Sequence, residues 1–229
     1  MTSSPKIYRA DANALENAEL FAELYSRASA RRREKIDRLR QERDKRLSLA
    51  VDALLKFALA EQGLDPDEPI AKTPLGKPYL LRRPDVCFNA SHSGDQVLCV
   101  VAREEVGCDV EAIAAAEPDL AERVLRESEL EQIAALDDVA ARKKLFCRLW
   151  TLKESFMKAT GRGFALNPRS FAIDLSADEP TIRQSVDAND YAFCEYDLAD
   201  DYCRACCVQN GAVPNSVIEA DLFNLAKRT

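Results

Sequence analysis

Val106-Gly107-Cys108-Asp109-Val110-Glu111 is the stretch on which the fold of this chain turns. Upstream runs Val97-Leu98-Cys99-Val100-Val101, apolar and rich in β-branched residues, so both segments read as strands. Side chains at i and i+2 of a strand share a face. Asp109 and Glu111 therefore converge on one spot, while Val110 points the other way into a core. Two hard oxygen donors held side by side form half of a magnesium site. The plainer reading is an acidic, solvated strand end.

The rest of the chain bounds these choices. Its 229 residues, 47% of them hydrophobic, suffice for one large domain or two small ones. No apolar run approaches the ~20 residues that span a bilayer. Met1-Thr2-Ser3-Ser4-Pro5-Lys6 lacks the basic-then-apolar pattern of a secretory leader, so a cytoplasmic protein with no membrane role is expected. Eight cysteines in such a chain are expected to remain thiols. Cys203-x-x-Cys206-Cys207 has a metal-like spacing, but Tyr202 to Val208 reads better as a strand. The net charge is −7, unevenly spread. Between Arg27 and Arg46 ten Lys/Arg face four Asp/Glu, a local +6 that leaves −13 elsewhere. That basic segment suits a nucleic acid, a membrane surface, a solvated helix face or a phosphorylated small molecule. Overall acidity argues against a general nucleic-acid binder.

Periodicity gives a coarse layout. An opening strand at Lys6–Ala10 precedes a helical stretch over 13–26. One helix is expected from Arg31 to Glu61, with Leu47, Val51, Leu54, Leu55, Ala58 and Leu59 on its apolar stripe and Gly63 ending it. A proline-rich loop from Pro66 to Pro84 carries Pro74-Leu75-Gly76-Lys77-Pro78-Tyr79. Strands are expected over 86–89, 96–103 and 106–111. The second part reads as short helices over 118–135 and a long helix from Val139 to Thr160 with Leu145, Leu149, Leu152 and Phe156 on one stripe. Strands follow near 171–175, 191–196 and 202–208. Helices then short strands, twice over, predict an α+β fold of two similar halves, residues 1–113 and 114–229.

Two further motifs accompany the Asp-x-Glu strand. Phe88-Asn89-Ala90-Ser91-His92-Ser93-Gly94 holds the only histidine, between hydroxyls at a strand end. Imidazole, hydroxyls and free N–H groups suit a phosphate oxygen; the alternative is a turn held by Asn and Ser side chains. Trp150-Thr151-Leu152-Lys153-Glu154-Ser155-Phe156-Met157-Lys158 puts Trp150, Glu154 and Lys158 on one helical stripe. Glu154 can then look inward as a third carboxylate, or form a surface pair with Lys158.

In this order the three motifs resemble the 4′-phosphopantetheinyl transferases of the Sfp type. Gly76-Lys77-Pro78-Tyr79 ahead of the histidine motif and Arg126-Glu127-Ser128-Glu129 before the long helix add to the likeness. It runs from Arg31 through Phe164 and more loosely to the C-terminal strands. The resemblance implies two halves related by a pseudo-twofold axis with the active site at their seam. It implies an enzyme that moves the phosphopantetheine arm of coenzyme A onto a serine of an apo acyl or peptidyl carrier protein, releasing adenosine 3′,5′-bisphosphate.

Carried over residue by residue, Asp109, Glu111 and Glu154 would hold Mg²⁺ against the pyrophosphate, whose charge must be neutralised in place. Lys158 and Lys153 would take phosphate oxygens, with Lys158 stabilising charge in the transition state. Ser91 and His92 would grip phosphate, assisted by Lys77. Arg32, Lys35 and Arg46 match the coenzyme A clamp with a one-residue gap. Glu129 is the preferred base for the carrier serine, with Glu154 the other candidate. Arg162, Phe164, Leu166 and Arg169 are expected to meet an acidic carrier. Ala90 and Cys108 depart from the family by being smaller. The length implies a monomer. Rival readings are a non-catalytic coenzyme A-binding regulator, a Mg²⁺-dependent pyrophosphate hydrolase and a nucleic-acid binder.

Overall fold

The computed structural model describes residues 4–227. Met1 to Ser3, part of the stretch read for a leader, lie outside the described residues. The chain begins with β1 (Lys6–Asp11), α1 (Ala18–Arg27), α2 (Ala30–Asp37) and α3 (Glu42–Ala60). The hairpin β2 (Ile70–Lys72) and β3 (Pro78–Leu80) leads to β4 (Cys87–Ser93), β5 (Gln96–Ala102) and β6 (Val106–Ala112). Then come α4 (Ala121–Val124), α5 (Glu127–Ala134) and α6 (Val139–Ala159). The chain finishes with β7 (Ala172–Asp174), β8 (Thr181–Arg183), β9 (Tyr191–Glu195), β10 (Tyr202–Gln209), β11 (Val217–Glu219) and α7 (Leu222–Lys227). No described helix is long and apolar enough to cross a membrane.

The architecture is α+β, built on two main sheets. One has the order β11-β1-β5-β4 and the other β6-β10-β9. The period-2 pattern of the strands assigns every face. Val97, Cys99 and Val101 of β5 join Leu54, Leu55 and Ala58 of α3 in one core. Leu98 and Val100 meet Val106, Cys108 and Val110 of β6 and Cys206 and Val208 of β10 in a second core between the sheets. Leu149, Leu152 and Phe156 of α6 close a third core with Ala205 and Cys207 of β10. The result is a stack of α3, sheet, sheet and α6. On β6 the residues opposite the middle core are Gly107, Asp109 and Glu111, so the two carboxylates face α6.

Gly107 lets that helix come close. A methyl group there would lie 2.1 Å from the Ser155 carbonyl oxygen and 2.5 Å from the Ala159 nitrogen. The helix itself starts where the Asp138 side chain accepts from Ala141 N and ends before Gly161 at φ +68°.

Two expectations are revised. The single helix over 31–61 is two, α2 and α3. Arg32 Nε donates to Asp52 Oδ1 at 3.0 Å, a pair twenty positions apart that one straight helix would hold ~30 Å apart. The turn after Arg38 folds α2 back on α3. The proline-rich loop contains the β2–β3 hairpin. Sheet pairing crosses the division at residue 113. β6 pairs antiparallel with β10, and β11 returns to pair parallel with β1.

Candidate active site

β4 and β6 run along the edges of different sheets and are joined by side chains. Asn89, Ser91 and Ser93 alternate along β4 and all reach toward β6. Asn89 Oδ1 accepts from Cys108 N at 2.9 Å. Ser91 Oγ donates to Asp109 Oδ1 at 2.7 Å. Ser93 Oγ donates to Glu111 Oε2 at 2.7 Å and accepts from Ala112 N at 3.1 Å. The serines thus set the orientation of both carboxylates.

α6 completes the cluster. Lys158 Nζ donates to Asp109 Oδ1 at 2.6 Å and to Ser91 Oγ at 3.0 Å. Burial works to lower the Lys158 pKa, but Asp109 and Glu154 outweigh it and hold the ammonium charged. Glu154 lies one turn earlier on the same stripe, 8% exposed. Burial pushes its carboxyl up to about 7, and Asp109 and Glu111 add to this while Lys158 opposes it. Glu111 is raised for the same reasons, burial first and Asp109 next. One lysine therefore faces three carboxylates, and negative charge is left over.

The donor set fits a hard cation. Asp109 Oδ2 is buried with no hydrogen-bond partner. Glu154 receives no hydrogen bond from any described residue. Among the described residues no three His, Cys, Asp or Glu side chains are already drawn into metal-ligand range; the Lys158 ammonium lies against Asp109.

His92 projects from the opposite face of β4, toward α2 and α3, and its ring reaches solvent. Its pKa is lowered by crowding against the protein and then by the positive charges of Lys35 and Lys158. Lys35 is itself exposed and lowered, by burial of its ammonium first and then by Arg32 and Lys72. It has no anionic partner among the described residues. The other two clamp candidates are engaged. Arg32 pairs with Asp52 at 3.0 Å, and Arg46 with Glu16 at 3.3 Å.

Four of the expected site residues are engaged within the fold. Glu129 and Lys153 are fully buried against each other, Nζ to Oε2 2.9 Å, away from the carboxylate cluster. Neither is available to a serine or a phosphate. Lys77 Nζ sits on the end of α6, donating to Ala159 O at 2.9 Å and pairing with Glu105. Leu166 is 7% exposed and belongs to the α6 core, so it offers no docking surface.

A cavity of about 220 Å³ opens beside Glu154 and Lys158. Leu75, Gly76, Lys77 and Pro78 form one rim, and Gly161, Gly163 and Phe164 the other. Phe164 is 79% exposed and Leu75 59%. Ser93, Asn89, Gly107 and Leu75 are the contributors that motif reading passed over. The i, i+2, i+4 spacing of Asn89, Ser91 and Ser93 was the available signal for two of them. The metal-like cysteine cluster is strand: Cys203, Cys206 and Cys207 are all buried free thiols on β10.

The profile of the 4′-phosphopantetheinyl transferase superfamily matches residues 105–207. A 4′-phosphopantetheinyl transferase of Bacillus subtilis is 33% identical over 182 residues, covering 78% of this chain and 81% of the relative. The 4′-phosphopantetheinyl transferase psf-1 of Bacillus pumilus is 31% identical, covering 93% of this chain and 90% of the relative. A holo-(acyl-carrier-protein) synthase of Bacillus anthracis, solved in complex with CoA, superposes on 47% of this chain and 96% of its own with TM-score 0.41 and 18% identity. The matched segment contains Asp109, Glu111, Glu154 and Lys158, and with relatives this similar over most of its length the chain belongs to the 4′-phosphopantetheinyl transferase superfamily.

Proposed function

We propose that this chain transfers the 4′-phosphopantetheine arm of coenzyme A to a serine of an apo carrier protein, releasing adenosine 3′,5′-bisphosphate. The observation that carries this reading is the meeting of Asp109, Glu111, Glu154 and Lys158 between β6 and α6. Three carboxylates with one lysine leave an uncompensated negative site, which suits a divalent cation and, through it, a pyrophosphate.

Asp109, Glu111 and Glu154 would hold Mg²⁺. The ion, when bound, neutralises charge on the phosphate oxygens. Lys158 adds a fixed positive charge aimed at the same place. Ser91 and Ser93 keep Asp109 and Glu111 in position. Lys35 and His92 face the other side of β4, where the Lys35 ammonium would supply positive charge and the His92 imidazole a hydrogen-bonding ring for a second phosphate of coenzyme A. Of the two candidate bases for the carrier serine, Glu154 is the one that lines the cavity, where it would act directly or through a water, whereas Glu129 is buried in the core.

An acidic carrier would dock over the cavity mouth, on Phe164 and Leu75 with the exposed Arg162 and Arg169 around them. We place the enzyme in the cytoplasm as a monomer; its eight free cysteines suit a reducing compartment. The test is intact-mass measurement of an apo carrier incubated with the protein, coenzyme A and Mg²⁺. A carrier heavier by one phosphopantetheine group is expected, and the gain should vanish with Asp109→Ala. Unmodified carrier across several carrier types overturns the reading, and hydrolysed coenzyme A in its place would indicate a pyrophosphate hydrolase.

A further inference from the structure

The segment from Gly161 to Phe171 leaves the end of α6 and forms one wall of the cavity through Gly161, Gly163 and Phe164. Gly161 and Gly163 both have positive φ, +68° and +49°, and glycine there gives the backbone wide freedom. The far end of the segment is tied down by a fully buried ion pair. Lys153 Nζ donates to Pro168 O at 2.9 Å and Phe171 O at 2.8 Å, and lies 2.9 Å from Glu129 Oε2. It also sits 4.5 Å from the centre of the Phe171 ring.

An ammonium has three protons, and here three acceptors take them. Glu129 extends the anchor: Oε1 accepts from Ile173 N at 2.8 Å and Oε2 from Arg126 N at 2.7 Å. An apolar pair could fill this space without desolvating two charges. What the charged pair supplies is one defined geometry, linking α5, α6 and the start of β7. Lys153 also precedes Glu154 directly on α6. The segment that shapes the cavity mouth is therefore referenced to the same helical turn that carries the site carboxylate.

We propose that Lys153 and Glu129 are positioning residues that hold the Phe164 wall of the cavity and thereby set how well a carrier protein docks. This rests on the carrier-docking reading above, so its test includes a control for that reading. Carrier KM, carrier kcat and coenzyme A Kd would be measured for wild type, Phe164→Ala, Glu129→Gln and the double variant Lys153→Met/Glu129→Leu. The double variant removes both charges and leaves no ion buried alone. Glu129→Gln keeps the volume and one of the two acceptor oxygens if the double variant does not fold.

Expected are a carrier KM raised about tenfold in each variant and a coenzyme A Kd changed by less than about twofold. A folded Glu129→Gln or double variant with wild-type carrier KM, when Phe164→Ala raises it, overturns the positioning role alone. If Phe164→Ala leaves carrier KM unchanged, the docking reading itself fails and the inference with it. A lower melting temperature with both substrate constants unmoved would assign the pair to stability only and equally overturns the proposal.

Discussion

The Lys158 ammonium lies 2.6 Å from Asp109 Oδ1 and 3.0 Å from Ser91 Oγ, so one side chain of α6 touches strands of both sheets. Ser91 also donates to the same Asp109 oxygen at 2.7 Å. The three groups form a closed triangle, and its charge is fixed before any substrate arrives. Such preorganised charge stabilises a transition state without reorganising.

Replacing Lys158 should therefore affect the chemical step. Lys158→Met is expected to lower kcat about 10²- to 10³-fold. Lys158→Arg should not restore it, because a planar fork cannot place one nitrogen between Ser91 and Asp109. Steady-state kinetics with saturating carrier checks this, alongside thermal unfolding to confirm that each variant folds.

Glu154 gives the apo protein a pH-dependent stability. Its folded pKa, about 7, lies above the 4.5 of an ordinary glutamate. The unfolded chain therefore loses this proton first as pH rises. Its contribution is fully present below pH ~4.5 and is lost as pH climbs through the folded pKa near 7. The full difference is on the order of 3 kcal/mol. Urea titrations in chelator should show wild type losing stability across this window relative to Glu154→Gln. Equal slopes for the two proteins would show that the carboxylate is not held in this way.

Much of this site could be read from the sequence because strand and helix periods place residues without tertiary knowledge. Asp-x-Glu on β6 put two carboxylates on one face, and the spacing of four put Glu154 and Lys158 on one stripe of α6. What periodicity could not tell is which face a neighbouring residue meets. Lys153 is adjacent to Glu154, yet a rotation of one position sends it into the core to Glu129. The family resemblance implied a phosphate for it, whereas in the structure three buried acceptors surround its ammonium. The basic stretch was incompletely legible for a related reason. Charge alone does not show that Arg32 is already paired with Asp52, or that the helix must turn after Arg38 to make that pair. Sheet pairing across the division at residue 113 could not be read because β pairing is non-local: β10, ninety-odd residues onward, pairs with β6.

Gly107 is the closest approach of α6 to β6. A Cβ at this position meets Ser155 O at 2.1 Å, Ala159 N at 2.5 Å and Lys158 Cβ at 2.9 Å. Two of those atoms are helix backbone, which cannot rotate away. Gly107→Ala should cost about 1–3 kcal/mol or more in stability. It should also cost activity beyond the loss of folded protein, because the shift separates Lys158 and Glu154 from Asp109. Denaturant unfolding and activity per folded molecule would show both. A variant as stable and active as wild type would mean that the helix is not seated on this glycine.

Asp109 Oδ2 is the one oxygen of the carboxylate cluster among the buried side-chain atoms left without a hydrogen-bond partner. Leaving a buried acceptor unsatisfied is costly, and a cation at this place would remove the penalty. Mg²⁺ should then stabilise the folded protein in the absence of any substrate, by about 2.7 kcal/mol at a hundred times its Kd. Asp109→Ala removes both the orphan oxygen and the anchor for Lys158, so its melting temperature should no longer rise with Mg²⁺. Glu111→Gln should retain a weakened rise, since Asp109 and Glu154 remain. Differential scanning fluorimetry over a Mg²⁺ series, with Ca²⁺ and high NaCl as controls for ionic strength, separates specific binding from screening. A wild-type melting temperature that follows NaCl and Mg²⁺ equally at matched ionic strength would rule out the cation site and leave Lys158 as the only counter-charge to the three carboxylates.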